Sequence, residues 1–165
     1  MNATRQELPI LKGEPLYIPF VGAIIERQNG EKKQILIQIR QKESDPMNTG
    51  TIEIPGGKMR AFEDVYQTVR REVKEESGLD IVFIEGEKKQ ADSSVLIEPF
   101  CVTQMKTGPF IGLIFLCQAV GEPASFTEES RDACWIDVLS LRQIVFQNPE
   151  RIYPPFLAPL KKYLL

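Results

Sequence analysis

Apolar and polar residues alternate along this chain with two different periods, and the switch between them marks out the elements. Lys33 to Arg40, KQILIQIR, alternates with period two. Ile35, Ile37 and Ile39 fall on one face and Gln34, Leu36, Gln38 and Arg40 on the other, the pattern of a half-buried strand. The run before it, Tyr17 to Arg27, is apolar and β-branched, and Asn29-Gly30 between the two predicts a hairpin with a somewhat longer loop. Thr51 to Ile54 reads as a short strand, ended by Pro55, which has no amide to donate to a ladder. From Val65 to Ser77 the period becomes helical: Val65, Tyr66, Val69 and Val73 share one arc at about 100° per residue. Asp64 and Gln67 have capping-box spacing, and Gly78 stands where a left-handed residue closes a helix.

Beyond the helix, Ile81 to Glu87 and Val95 to Gln104 read as strands joined by the polar loop KKQADSS. Phe110 to Val120 is almost continuously apolar, the mark of a central strand buried on both faces. GEPASFTEESRDA reads as a turn-rich loop, Trp135-Ile136 opens a short strand, and Val138 to Phe146 has helical spacing. The final YPPFLAPLKKYLL permits a helix from Pro155 or Pro159. Met1 to Pro15 carries few packing signals and reads as an extended arm or an edge strand. The order predicts an α/β fold, a mixed sheet between helices. With neither repeats nor linkers, residues 1–165 are expected to form a single domain.

Composition narrows the chemistry. The 165 residues are 42% apolar and 26% charged, enough for one sizeable core. A net charge of −3 argues against a nucleic-acid surface, and no apolar run approaches the eighteen or so residues of a membrane span. MNATRQELPILKGEPL lacks the layout of a signal peptide, so the expected compartment is the cytoplasm. The cysteines, Cys101, Cys117 and Cys134, are odd in number and far apart, so they are expected to be small buried residues rather than a disulfide framework or zinc site. The chain has no histidine, which removes imidazole bases and histidine metal sites and leaves carboxylates or metal-activated water for any base chemistry.

The helix concentrates the candidate residues. Glu72, Glu75 and Glu76 stand at i, i+3 and i+4, with Glu72 and Glu76 bordering the valine arc, whereas a merely solvated charged face would lie opposite it. Like charges so placed repel, and Arg71 can neutralise only part of that charge. A hard divalent cation with oxygen ligands would neutralise the rest, and Mg²⁺ suits a site of few carboxylates completed by water and phosphate.

These residues also carry a family resemblance. Gly57, Glu63, Arg71-Glu72, Val73, Glu75-Glu76, Gly78 and Leu79 resemble the complete Nudix signature at its characteristic spacing. Chance agreement at all of these positions is on the order of 10⁻¹⁰ per start site. One position departs: many members carry Gly before the first motif Glu, where this chain has Phe62.

The resemblance implies an α/β/α sandwich and Mg²⁺-dependent hydrolysis of a diphosphate, with Mn²⁺ as a substitute ion. It assigns the metal to Glu72, Glu75, Glu76 and the carbonyl of Gly56. Glu129 is the candidate for a further metal-linked carboxylate in the loop before Trp135, with a plain surface acid as the alternative. Glu72 or Glu129 would act as base, Arg71 would orient, and Gly57, Glu63 and Gly78 would shape the motif. The phrase Glu53-Ile54-Pro55-Gly56-Gly57-Lys58 is similar to the stretch before the helix in ADP-ribose and nucleotide-sugar pyrophosphatases. Arg40, Glu53 and Lys58 are therefore the candidate substrate contacts, with Arg27 for phosphate and Phe110 or Phe126 to stack a base. The expected partner is a small nucleotide-type molecule, neither nucleic acid nor membrane, and a homodimer is left open. A nucleotide-sugar sensor, or a hydrolase of nucleoside triphosphates or dinucleoside polyphosphates, is the alternative.

Overall fold

A computed structural model describes residues 16–88, 93–128 and 130–165. The expectations for residues 1–15 and for Glu129 therefore lie outside the described residues.

Strand β1 (Ile18–Asn29) is long enough to have different neighbours along its length. Its first eight residues run parallel to β7 (Phe110–Val120), from Ile18 opposite Phe110 to Ile25 opposite Cys117. Its last four pair antiparallel with β2 (Lys32–Arg40), across the turn at Gly30, whose φ of +60° glycine adopts without strain. Beyond this hairpin the two strands part. The segment holding β3 (Ile52–Glu53) and β4 (Gly56–Lys58) fills the split: β3 pairs with Gln38 and Ile39 of β2, and β4 pairs with Phe20 to Gly22 of β1. Sequence reasoning ended this run at Pro55. Instead the Pro55 carbonyl accepts from the Ala23 amide at 2.9 Å, and the chain crosses from one strand to the other.

Strand β8 (Ser130–Asp137) pairs along the other edge of β2. Two expectations change here. The stretch read as loop up to Ala133 is strand from Ser130, because β2 supplies the ladder that its polar residues do not advertise. Strand β2, read as half-buried, is covered on both faces: Leu36, Gln38 and Arg40 are buried along with Ile35 and Ile37. Strands β5 (Asp80–Ile84) and β6 (Cys101–Gln104) share the outer edge of β7. The described part of the stretch from Val95 to Phe100, expected as strand, forms none.

Helix α1 (Val65–Ser77) covers one face of this eight-stranded mixed sheet. Its Val65, Tyr66, Val69 and Val73 meet Val21, Ala23, Ile25, Leu36 and Phe115. Helices α2 (Val138–Gln147) and α3 (Pro154–Leu164) cover the other, where Leu141, Val145, Phe156 and Leu160 meet Phe20, Ile24, Ile35 and Ile114. Successive β1 residues feed opposite cores, each fully buried side chain contributing about 1.5–3 kcal/mol. The result is an α/β/α sandwich. Of the cysteines only Cys117 is buried, and burial pushes its thiol up to about 12; Cys101 is half-buried and Cys134 exposed, against expectation, and all three are free. Among the described residues no helix is long and apolar enough to cross a membrane.

Candidate functional site

The phase of α1 fixes the site. Asp64 Oδ1 accepts from the Gln67 amide at 2.8 Å while Gln67 Oε1 accepts from the Asp64 amide at 3.1 Å, and Gly78 closes the helix at φ +76°. With both ends pinned, Glu72 and Glu76 face the split between β1 and β2, and Glu75 faces outward.

Glu76 lies deepest, 2% exposed. Its Oε2 accepts from the Gly56 amide and from Gln38 Nε2, both at 2.9 Å. Among the described residues its Oε1 is buried without a hydrogen-bond donor and has the Lys42 ammonium at 3.5 Å. Burial, then the charge of neighbouring Glu53, pushes the Glu76 carboxyl well above its ordinary value. Glu53, also 2% exposed, accepts from Arg40 Nη1 at 3.0 Å and Gln38 Nε2 at 3.2 Å; burial raises its pKa and Arg40 pulls it back. Arg40 is engaged in full. It pairs with Asp45 and Glu53, and its guanidinium carbon stacks 3.9 Å from the Tyr153 ring centroid.

Nearer the surface, Arg71 gathers three acids. Nε and Nη2 donate to Glu63 at 2.7 and 3.0 Å, and Nη1 to Glu72 at 2.5 Å and Glu75 at 3.1 Å. Nη2 also reaches the Lys58 carbonyl at 3.2 Å, tying helix to loop. Desolvation opposes the charge on Arg71, but these carboxylates together hold its pKa well above the ordinary value. Burial raises the Glu72 pKa and Arg71 draws it down, whereas the hydrogen bond from Arg71 lowers that of Glu63.

The paired glycines serve different partners. A Cβ on Gly57 would stand 2.3–2.6 Å from the Glu72 carboxylate, and one on Gly56 would stand 2.2 Å from the Val21 carbonyl oxygen. Backbone closes the space at Gly56, whereas at Gly57 the space is taken by the end of one side chain.

A cleft of about 890 Å³ opens above these residues. Its wall carries the acids Glu53, Glu72 and Glu75, the cations Arg40, Lys42, Lys58 and Arg60, and the rings of Phe20, Phe110, Tyr153 and Phe156. Acids and cations are interleaved, Arg40 pairing with Glu53 and Arg60 lying 3.8 Å from Glu75. Glu76 lies beneath this lining. Arg27 and Phe126 lie away from it: Arg27 stacks 4.2 Å from the Trp135 ring centroid, and Phe126 is largely exposed. Sequence reasoning missed Lys42, Asp45 and Tyr153. A signal for Lys42 was present, since Gln38, Arg40 and Lys42 continue the polar side of the period-two pattern.

Among the described residues, no three acid or thiol side chains stand close enough to hold an ion as placed. Arg71 draws Glu72 and Glu75 aside, and Glu76 turns one oxygen to Gln38 and Gly56. The expected convergence of three acids is thus split in two. The donor chemistry still fits a hard divalent cation: carboxylate oxygens, one of them buried and unsatisfied, beside the backbone of Gly56. Glu72, Glu75 and Glu76 can hold such an ion once their carboxylates turn from Arg71 and Lys42.

A family model for the NUDIX domain matches residues 17–156. Solved structures with the same fold include a MutT protein from Methanosarcina mazei Go1, 22% identical over 91% of this chain and 94% of that one, with a TM-score of 0.62. The NUDIX domain of Shewanella oneidensis NrtR, solved with ADP ribose, is 15% identical over 87% and 90%, with a TM-score of 0.64. A MutT NUDIX hydrolase from Burkholderia pseudomallei is 21% identical over 73% and 83%, with a TM-score of 0.55. No curated protein matches the chain.

Proposed function

Because the chain belongs to the Nudix family of pyrophosphohydrolases, we propose that it cleaves the diphosphate linkage of a nucleoside diphosphate joined to another moiety, of the ADP-ribose or nucleotide-sugar type. One observation carries the reading: a single cleft places acids, cations and aromatic rings side by side. A diphosphate with apolar rings attached needs all three.

In this reading a divalent cation, Mg²⁺ with Mn²⁺ as substitute, supplies charge neutralisation at the phosphates and acidifies water. Glu72, Glu75 and Glu76 would be the carboxylates that hold it, with the Gly56 carbonyl and Glu129 as further candidates. Lys58 and Arg60, both on the cleft wall, hold the phosphates, while Phe110 and Tyr153 bound the space for a ring. Glu72 accepts the proton as a water oxygen bonds to phosphorus and the anhydride bond breaks, with Glu129 as the alternative base. Arg71 holds Glu72 and Glu75 until they turn to the ion, and Glu63 keeps Arg71 at hand. Arg40 and Glu53 shape the cleft as a buried pair more than they reach for substrate. The chain acts as a single cytoplasmic domain on small molecules.

The test is product release from a panel of nucleotide conjugates, with and without Mg²⁺. Glu76→Gln should lower kcat by at least about 10²-fold while the protein still folds. Activity retained in that variant removes Glu76 from the assignment. A second reading, binding without cleavage, is favoured by the hold of Arg71 on Glu72 and Glu75. Tight binding of one conjugate with turnover of none would establish it.

A further inference from the structure

The two oxygens of Glu76 are treated unequally. Oε2 takes two hydrogen bonds, from Gly56 and Gln38. Among the described residues Oε1, equally buried, takes none, and the cation close to it is the Lys42 ammonium, at an ion-pair distance of 3.5 Å. Lys42 also stands between Glu76 and the open cleft, whose wall it lines while Glu76 does not. Its charge is felt by Glu53 and Glu72 as well as Glu76. Arg40 neutralises Glu53 and Arg71 pairs with Glu72, so among the described residues Glu76 is the carboxylate whose close cation is the Lys42 ammonium.

We propose that the Lys42 ammonium and the divalent cation are alternative occupants of one carboxylate cradle, so that Lys42 sets the affinity of the cation site and swings into the cleft when the ion enters. The inference rests on the metal-dependent reading above. Two cations cannot share Oε1: an ammonium and a divalent ion at contact distance from the same oxygen repel each other strongly in so enclosed a place, where little water screens them. The lysine has an exit. It lies just past the end of β2 on a flexible four-carbon stem, and the cleft beside it already holds Lys58 and Arg60. Released there, it becomes a third cation facing the diphosphate, so that metal entry and substrate capture are linked.

The experiment is calorimetric titration with MnCl₂ alone, paired with thermal unfolding with and without Mn²⁺, on wild type, Lys42→Met and Lys58→Met. The last removes the same charge from the cleft but not from Glu76. Lys42→Met should bind Mn²⁺ at least about fivefold tighter, against about twofold or less for Lys58→Met. Its Tm should fall below wild type without metal and recover at saturating Mn²⁺, because a lost competitor matters only while the ion is away. A lysine with a merely structural role would leave the same deficit in both conditions. In wild type, which needs no variant to fold, acylation of Lys42 followed by mass spectrometry should rise severalfold on adding Mg²⁺. Unchanged Mn²⁺ affinity in Lys42→Met, a Tm deficit that persists with metal, or flat acylation overturns the proposal alone. Wild type that takes up no Mn²⁺ overturns it together with the metal-dependent reading.

Discussion

The carboxylates of α1 occupy two neighbourhoods one helical turn apart. Around Glu76 the surroundings are built from the sheet: Gly56, Gln38 and Glu53 come from strands that are themselves paired, and the polar atoms are almost wholly enclosed. Around Glu72 they are built from side chains: one guanidinium serves Glu63, Glu72 and Glu75, and Glu75 remains half-exposed. Paired strands hold the first, through the Gly56 amide and the buried Gln38 side chain, and one long guanidinium-bearing side chain holds the second. The difference teaches which part can move. A carboxylate fixed by an amide on a strand stays put, with its other oxygen against Lys42, whereas carboxylates gathered by Arg71 can trade that partner for another without disturbing the fold.

The adjacent glycines sharpen this contrast because each belongs to one neighbourhood. Gly56→Ala should have the largest effect. Its Cβ would press on the Val21 carbonyl at 2.2 Å and the Gly22 Cα at 2.9 Å, both backbone of the central strand, which cannot yield cheaply. The expected loss is about 3 kcal/mol, the upper end for overpacking, or roughly 6–12 °C in Tm for a domain of this size. Thermal unfolding measures it. Little change in Tm would mean that the strand side is as pliable as the Arg71 side, and the contrast would be lost.

Gly57→Ala comes next, with the opposite signature. The atoms in its way are the carboxylate end of Glu72, which can rotate off Arg71. Stability should change by less than about 1 kcal/mol, but the displaced carboxylate should lower kcat by about tenfold or more. Assaying the two alanine variants side by side gives the comparison directly. Equal Tm losses would show Glu72 to be as firmly placed as Glu76.

The elements that sequence reasoning located correctly carry their instructions locally. Helix α1 is bounded by its own capping box and by Gly78, and β7 by eleven residues of near-continuous apolarity. Where it erred, the deciding partner was remote. Nothing in Ser130 to Ala133 announces a strand, because the ladder belongs to β2, about a hundred residues earlier. Strand β2 looked half-buried because Gln38 and Arg40 are polar, yet both are enclosed with Glu53 and Glu76, a satisfaction that periodicity cannot see. The acids were legible as a group from their i, i+3, i+4 spacing. Their division was not, since it depends on where Arg71 and Gly56 fall in space.

Phe62 offers the smallest effect and tests where backbone strain is kept. It lies in the loop between β4 and α1, on the Arg71 side, with φ +70°, a left-handed conformation that costs a non-glycine residue about 1–2 kcal/mol. Its side chain is 72% exposed, so little burial offsets that strain. Phe62→Gly removes the strain but gives the unfolded chain more freedom, a penalty of about 0.4–1 kcal/mol. The net expectation is a gain of up to about 1 kcal/mol, a rise of about 2–4 °C in Tm. Phe62→Ala keeps the left-handed demand and should show no such gain, which separates relief of strain from removal of an exposed ring. If the glycine variant instead melted lower, the phenyl ring would be holding the loop against Arg71 and its acids. The more mobile side of the site would then have a second anchor besides the guanidinium.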